Sequence, residues 1–179
     1  VSIYTLSRLE PAYPARYTAR MAHLHDSGYK YLFSHAELVQ ELLETFAPPG
    51  VSELLDYTTL RLENGNYVTP AMTPRADDLV WSVELQGQRI YLYLLLEFQS
   101  TPDDSMPTRM LQYVAALYDH LLRSKAVDIA DGLPPVLPIV LYNGDARWRQ
   151  SSELYDLIRV HPQVLKPFQP RLKFWLLDQ

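Results

Sequence analysis

Two carboxylates and an amide, Asp78, Glu97 and Gln99, sit at the outer ends of two strand-like runs, Asp78-Leu79-Val80-Trp81 and Leu96-Glu97-Phe98-Gln99. The segments between them are rich in β-branched, aromatic and aliphatic residues and meet at a Gly-containing polar connection, the pattern of a β-hairpin. If the turn is centred between Gly87 and Gln88, Asp78 falls directly opposite Glu97. Opposed residues share a sheet face, and Gln99 joins them because side chains alternate along a strand. Like charges directly opposed on a sheet repel, so something must offset the pair. A divalent cation with hard oxygen ligands is the natural partner, with a coordinated water as a source of nucleophile.

The reverse face of the same hairpin collects Leu79, Trp81, Val83, Leu85, Ile90, Leu92, Leu94, Leu96 and Phe98 and is apolar throughout. One face is therefore core, and the acids project from the other. Upstream, a helical pattern begins near Asp26, and Ser34 with Glu37 has the form of a capping box for a helix through Phe46. Residues 56–69 read as one or two short strands with a turn at Asn64-Gly65. After the hairpin a helix is expected from Pro107 to Arg123, with Met110, Val114, Leu117 and Leu121 on one face. Leu137 to Tyr142 is almost wholly apolar, as in a strand buried on both faces, and the preceding helix lets it lie parallel to the strand at 90–99. A helical stretch at 151–159 and a strand near 172–178 follow. This order predicts an α/β fold with a mixed central sheet flanked by helices.

Composition narrows the function classes. The chain has 179 residues, 47% of them apolar and 21% charged, enough for one α/β domain with a sizeable core. A net charge of −5 argues against a strongly basic, non-specific nucleic-acid binder while leaving room for a local basic surface. The absence of cysteine removes disulfides, thiolate zinc sites and cysteine nucleophiles together, and fits a reducing, cytoplasmic setting. No run approaches the roughly 20 apolar residues needed to cross a bilayer, so no membrane partner is expected. Residues 1–24, with Pro11 and Pro14, read as an irregular arm preceding one domain over 25–179. The end at Leu176-Leu177-Asp178-Gln179 reads as a strand without a tail, which implies that the natural protein continues.

The order α-β-β-β-α-β, with Asp entering the second strand and Glu-x-Gln ending the third, resembles the PD-(D/E)XK nuclease superfamily and its restriction-endonuclease-like core. The longer resemblance is to the Rpn family of recombination-promoting nucleases, also known as transposase-like proteins. It rests on HDSGYKYLF from His25, with Asp26, Lys30 and Phe33; on Asp78-Leu79-Val80-Trp81; on Leu96 to Thr101; on RMLQY from Arg109 to Tyr113; and on Leu137 to Gly144. These segments span about 25–178. The resemblance implies Mg²⁺-dependent cleavage of DNA, with Mn²⁺ as a substitute, and associates the chain with recombination or mobile elements. By it, Asp78 and Glu97 would be metal ligands and catalytic residues. Gln99 would stand where many superfamily members carry lysine, and a neutral amide there cannot supply a lysine's charge.

Asp26 and Lys30 on the first helix, and Arg109 and Tyr113 one turn apart on the later one, are second-rank candidates through the same resemblance. Their ordinary readings are a helix cap for Asp26 and packing or a surface ion pair for the others. There is no Walker-type phosphate loop and no Gly-x-Ser-x-Gly elbow, and His23, His25 and His35 lack zinc-site partners at suitable spacing. The leading expectation is a metal-dependent DNA endonuclease. The alternative is a catalytically degenerate nuclease fold that binds DNA or protein. The oligomeric state stays open, a dimer included.

Overall fold

The computed structural model describes residues 28–63, 78–97, 101–159 and 162–178, with Glu97 as a backbone position. The expected arm at 1–24, the Asn64-Gly65 turn, Asp26 and Gln99 lie outside the described residues.

A helical segment at 28–32 leads to α1 (Ala36–Phe46), then β1 (Leu55–Leu62), β2 (Asp78–Leu85), β3 (Gln88–Glu97), α2 (Met106–Arg123), β4 (Val136–Tyr142) and β5 (Trp175–Asp178). The strands form one mixed sheet in the order β1-β2-β3-β4-β5. β1, β2 and β3 pair antiparallel, whereas β3, β4 and β5 run parallel. The connection from β3 through α2 to β4 supplies the length that parallel neighbours need. The result is an α/β protein with a five-stranded mixed sheet flanked by helices, consistent with a restriction-endonuclease-like core.

Strand alternation divides the interior into two cores. Leu79, Trp81, Val83, Ile90, Leu92, Leu94 and Leu96 pack with Val39, Leu42 and Leu43 of α1 on one face. Val80, Tyr91, Tyr93 and Leu95 pack with Met106, Met110, Tyr113 and Leu117 of α2 on the other. Two indoles fasten the first layer: Trp81 Nε1 donates to Phe33 O at 3.1 Å and Trp175 Nε1 to Phe46 O at 2.7 Å. Both carbonyls lie at or near helix ends, where backbone acceptors lack intrahelical donors.

The expected capping box is not formed. His35 occupies the N-cap of α1 without a side-chain cap, and Ser34 Oγ donates backwards to Tyr31 O at 2.6 Å. The hydroxyl is used by the preceding turn, so it does not serve the helix that follows. The helical stretch expected at 151–159 is a 3₁₀ turn over Leu154–Leu157.

The hairpin also differs from the sequence reading. Leu85 pairs with Gln88, which makes Gln86-Gly87 the two-residue turn and sets Asp78 opposite Leu95 rather than Glu97. Gln86 has φ 52° and Gly87 φ 79°, and positive φ at both central residues is the type I′ requirement, with Gly in the second place. A two-residue slip preserves the face of every side chain, so the apolar assignment survives while the cross-strand partner of Asp78 changes.

Candidate active site

Asp78 begins β2, at the end of the sheet where the parallel strands β3, β4 and β5 finish. Position 97 pairs with Tyr142, and Tyr142 pairs with Asp178. The carboxyl ends of parallel strands are where open α/β sheets bind ligands, because the connections diverge there and leave a crevice. By strand alternation, position 97 shares the parity of Leu95 and Tyr93, the α2-covered face on which Asp78 also falls.

The Asp78 carboxylate is half-buried and held from the neighbouring strand: Tyr93 OH donates to Asp78 Oδ2 at 3.1 Å. Tyr93 is itself 2% exposed. Its ring lies nearly parallel to that of Tyr113, with centroids 5.5 Å apart and planes inclined by 12°. One turn earlier on α2, the Arg109 guanidinium lies 6.0 Å from the centre of the Tyr113 ring. Arg109 Nη1 donates to Asp103 Oδ2 at 2.6 Å. A continuous polar and aromatic path thus runs from Asp78 through Tyr93, Tyr113 and Arg109 to Asp103.

Asp103 anchors the outer end of this path. Ser105 donates to Asp103 Oδ1 from its amide at 2.8 Å and from its hydroxyl at 2.6 Å, just before α2 begins. Burial pushes the carboxyl up, but the Ser105 and Arg109 hydrogen bonds and the guanidinium's charge together hold it below the usual carboxylate range. Arg109 therefore arrives at the site end of α2 as one half of an ion pair with side chains only 13% and 21% exposed.

Of the residues singled out in the sequence, the structure brings Asp78, Arg109 and Tyr113 together. Tyr93, which joins them, has no place in the sequence reading; its only signal is a hydroxyl-bearing ring on the Asp78 face of an aliphatic strand. Lys30 lies in the segment 28–32. That segment reaches the same end of the sheet, since Asn143 Nδ2 donates to Tyr29 OH at 3.4 Å, one residue beyond β4. Among the described residues no three His, Asp or Glu side chains gather at metal-binding spacing.

The fold class is an α/β protein with a helix-flanked, five-stranded mixed sheet, consistent with a restriction-endonuclease-like core. The chain belongs to the family described as "Putative transposase, YhgA-like", whose family model matches residues 23–179. It is 37% identical over 123 residues to the Recombination-promoting nuclease RpnC of Escherichia coli (strain K12), covering 68% of this chain and 39% of that protein. It is 29% identical over 121 residues to the Recombination-promoting nuclease RpnD of Escherichia coli O157:H7, covering 67% and 45%. It is also 30% identical over 122 residues to the Inactive recombination-promoting nuclease-like protein RpnE of Escherichia coli (strain K12), covering 68% and 39%. The chain thus spans about two fifths of the length of these curated relatives. No solved structure was found to match it. Among the described residues no helix is long and apolar enough to cross a membrane.

Proposed function

We propose that this chain is a metal-dependent endonuclease domain that cleaves phosphodiester bonds in DNA, in the setting of recombination. The observation that carries the reading is Asp78: a half-buried carboxylate, held by Tyr93, on the face and at the sheet end that position 97 shares. Its relatives' names as recombination-promoting nucleases support the same assignment.

The donor set suits a hard divalent cation such as Mg²⁺, with Mn²⁺ as a substitute. Asp78 and Glu97 would hold it; Mg²⁺ keeps several of its waters and is commonly bound through one or two carboxylates. When bound, such an ion supplies a polarised water and offsets charge on the phosphate. Tyr93 fixes one oxygen of Asp78, which limits the rotamers open to the carboxylate. Gln99 would donate its amide to the attacking water or to a phosphate oxygen, and its replacement by alanine would cost about 2.7–4 kcal/mol, a hundredfold to a thousandfold in rate. Asp26, Lys30, Arg109 and Tyr113 enter the proposal only as second-rank candidates for contributing to this site.

A second reading, a degenerate nuclease fold serving as a DNA-binding or interaction module, is favoured by the relatives named inactive and by Gln99 in the usual lysine position. Nicking of supercoiled plasmid with Mg²⁺ or Mn²⁺ separates the two. Asp78→Asn is expected to abolish nicking while the protein melts as before, because an amide oxygen still accepts from Tyr93 but binds a hard cation poorly. Full nicking by this variant, freed of contaminating nuclease, refutes the ligand assignment. Wild type and Gln99→Lys both inert on every DNA form would favour the degenerate module.

A further inference from the structure

The loop that follows β4 carries an unusual charge for this chain. From Asn143 to Lys173 there are six basic residues against three acidic ones, in a protein whose net charge is −5. Two of the six, Arg147 and Arg149, flank Trp148 at the sheet end that holds Asp78.

Trp148 is the pin of this loop. It is 6% exposed, and its ring meets Tyr142 edge-on at 5.1 Å and Phe174 at 6.2 Å. Its amide donates to Asp178 Oδ2 at 3.1 Å, at the last position of β5, and its Nε1 donates to Gln150 O at 3.2 Å. Tyr142 OH closes the base of the loop by donating to Ala146 O at 2.6 Å. The chain then descends alongside β5, with Phe174 N donating to Ser152 O and Leu154 N to Leu172 O. With Trp148 turned into the core, the arginines on either side of it are both exposed. Neither has an ion-pair partner among the described residues.

Two exposed guanidinium groups two residues apart on a pinned loop, with no ion-pair partner among the described residues, present planar donor forks suited to phosphate oxygens. Tyr142 pairs with position 97 on β3, and β3 pairs with β2, where Asp78 begins. Strands lie about 4.8 Å apart, so the foot of the loop stands about 10 Å across the sheet from Asp78. That lies within reach of a short stretch of one nucleic-acid backbone, whose charges repeat about every 3.4 Å along the helix axis.

We infer that Arg147 and Arg149, displayed by the Trp148-pinned loop, form the contact of this chain with the phosphate backbone of duplex DNA beside the Asp78 site. The inference rests on the endonuclease reading for its substrate, but its test does not need cleavage. The two arginines position the strand and carry no base specificity, as is general for phosphate contacts.

Fluorescence anisotropy of a labelled DNA duplex, in EDTA and over a series of salt concentrations, measures the contact directly. Each phosphate neutralised contributes about −0.9 to the slope of log affinity against log salt. The variant Arg147→Gln/Arg149→Gln is therefore expected to bind more weakly and to flatten that slope by about 1.8. Arg147→Lys/Arg149→Lys, which keeps both charges, should retain most of it. Arg123→Gln is the control: that residue pairs with Asp119 at the far end of α2, about 26 Å along the helix from Met106, and should bind as wild type. An unchanged slope in the double glutamine variant, an equal loss in Arg123→Gln, or tighter binding of an RNA duplex with the same dependence overturns the inference. Plasmid nicking by Asp78→Asn judges the endonuclease reading separately, since that variant retains both arginines.

Discussion

The two faces of the central sheet are built from the same two strands and do different work. Leu94 and Tyr93 are neighbours in β3, yet one joins the aliphatic layer under α1 and the other joins the layer under α2. The α1 face is closed by hydrocarbon and by two indole donors on helical carbonyls. The α2 face is also a buried apolar layer but threads Asp78, Tyr93, Tyr113, Arg109 and Asp103 through it. Buried polar groups are tolerated only when partnered, so that face must spend its specificity on hydrogen bonds. Both faces are buried apolar layers, and the contrast assigns the positioning of charge to the one under α2.

The sharpest way to break the comparison is a truncation on the α1 face. Leu94→Ala removes a side chain 1% exposed and should cost about 2–5 kcal/mol in urea denaturation. Because Leu94 points away from Asp78, nicking by the fraction that remains folded should be unchanged. A loss of activity beyond the loss of folded protein would show that the two faces are not separable.

A smaller effect is expected from Tyr93→Phe, which keeps the stack on Tyr113 and deletes only the donor to Asp78. A hydrogen bond to a charged group is worth about 1.5–3 kcal/mol, so stability should fall less than in Leu94→Ala. Its distinguishing effect should be weaker Mn²⁺ binding by calorimetry together with slower nicking. Unaltered Mn²⁺ affinity would remove Tyr93 from the site and leave it as a core residue.

A loss comparable to that of Tyr93→Phe, about 1.5–3 kcal/mol near neutral pH, is expected from Arg109→Gln, which deletes the charged hydrogen bond to the largely buried Asp103. Here pH gives the discriminating readout. Asp103 is held below its ordinary range, so its ion pair adds stability that is full above the unfolded carboxylate value and is lost as pH falls through the lower folded value. The difference between wild type and Arg109→Gln should therefore persist at neutral pH and shrink in acid, below about pH 4. A difference that stays constant into acid would mean that Arg109 acts by packing on Tyr113 and not through Asp103.

The period-two alternation of Leu79, Trp81 and Val83 against Ile90, Leu92 and Leu94 placed those six on one face and Asp78 on the other from sequence alone, but it did not show that the Asp78 face is a second buried core, which α2 makes by covering Val80, Tyr91, Tyr93 and Leu95. The same repetition could not settle the register. A slip of two residues pairs aliphatics with aliphatics equally well, and only the backbone of Gln86-Gly87, with both φ values positive, selects Leu85 opposite Gln88. Arg109 and Tyr113 were legible as a pair because residues four apart share a helix face. Their relation to Asp78 was not, since it depends on α2 lying across β3 closely enough to stack Tyr113 on Tyr93. The pinning of Arg147 and Arg149 is likewise tertiary: it needs Tyr142, Phe174 and Asp178, up to 30 residues away, to converge on Trp148. Side-chain periodicity is a local property and survives in the sequence, whereas the meeting of a helix, a loop and a strand end depends on how the whole sheet packs.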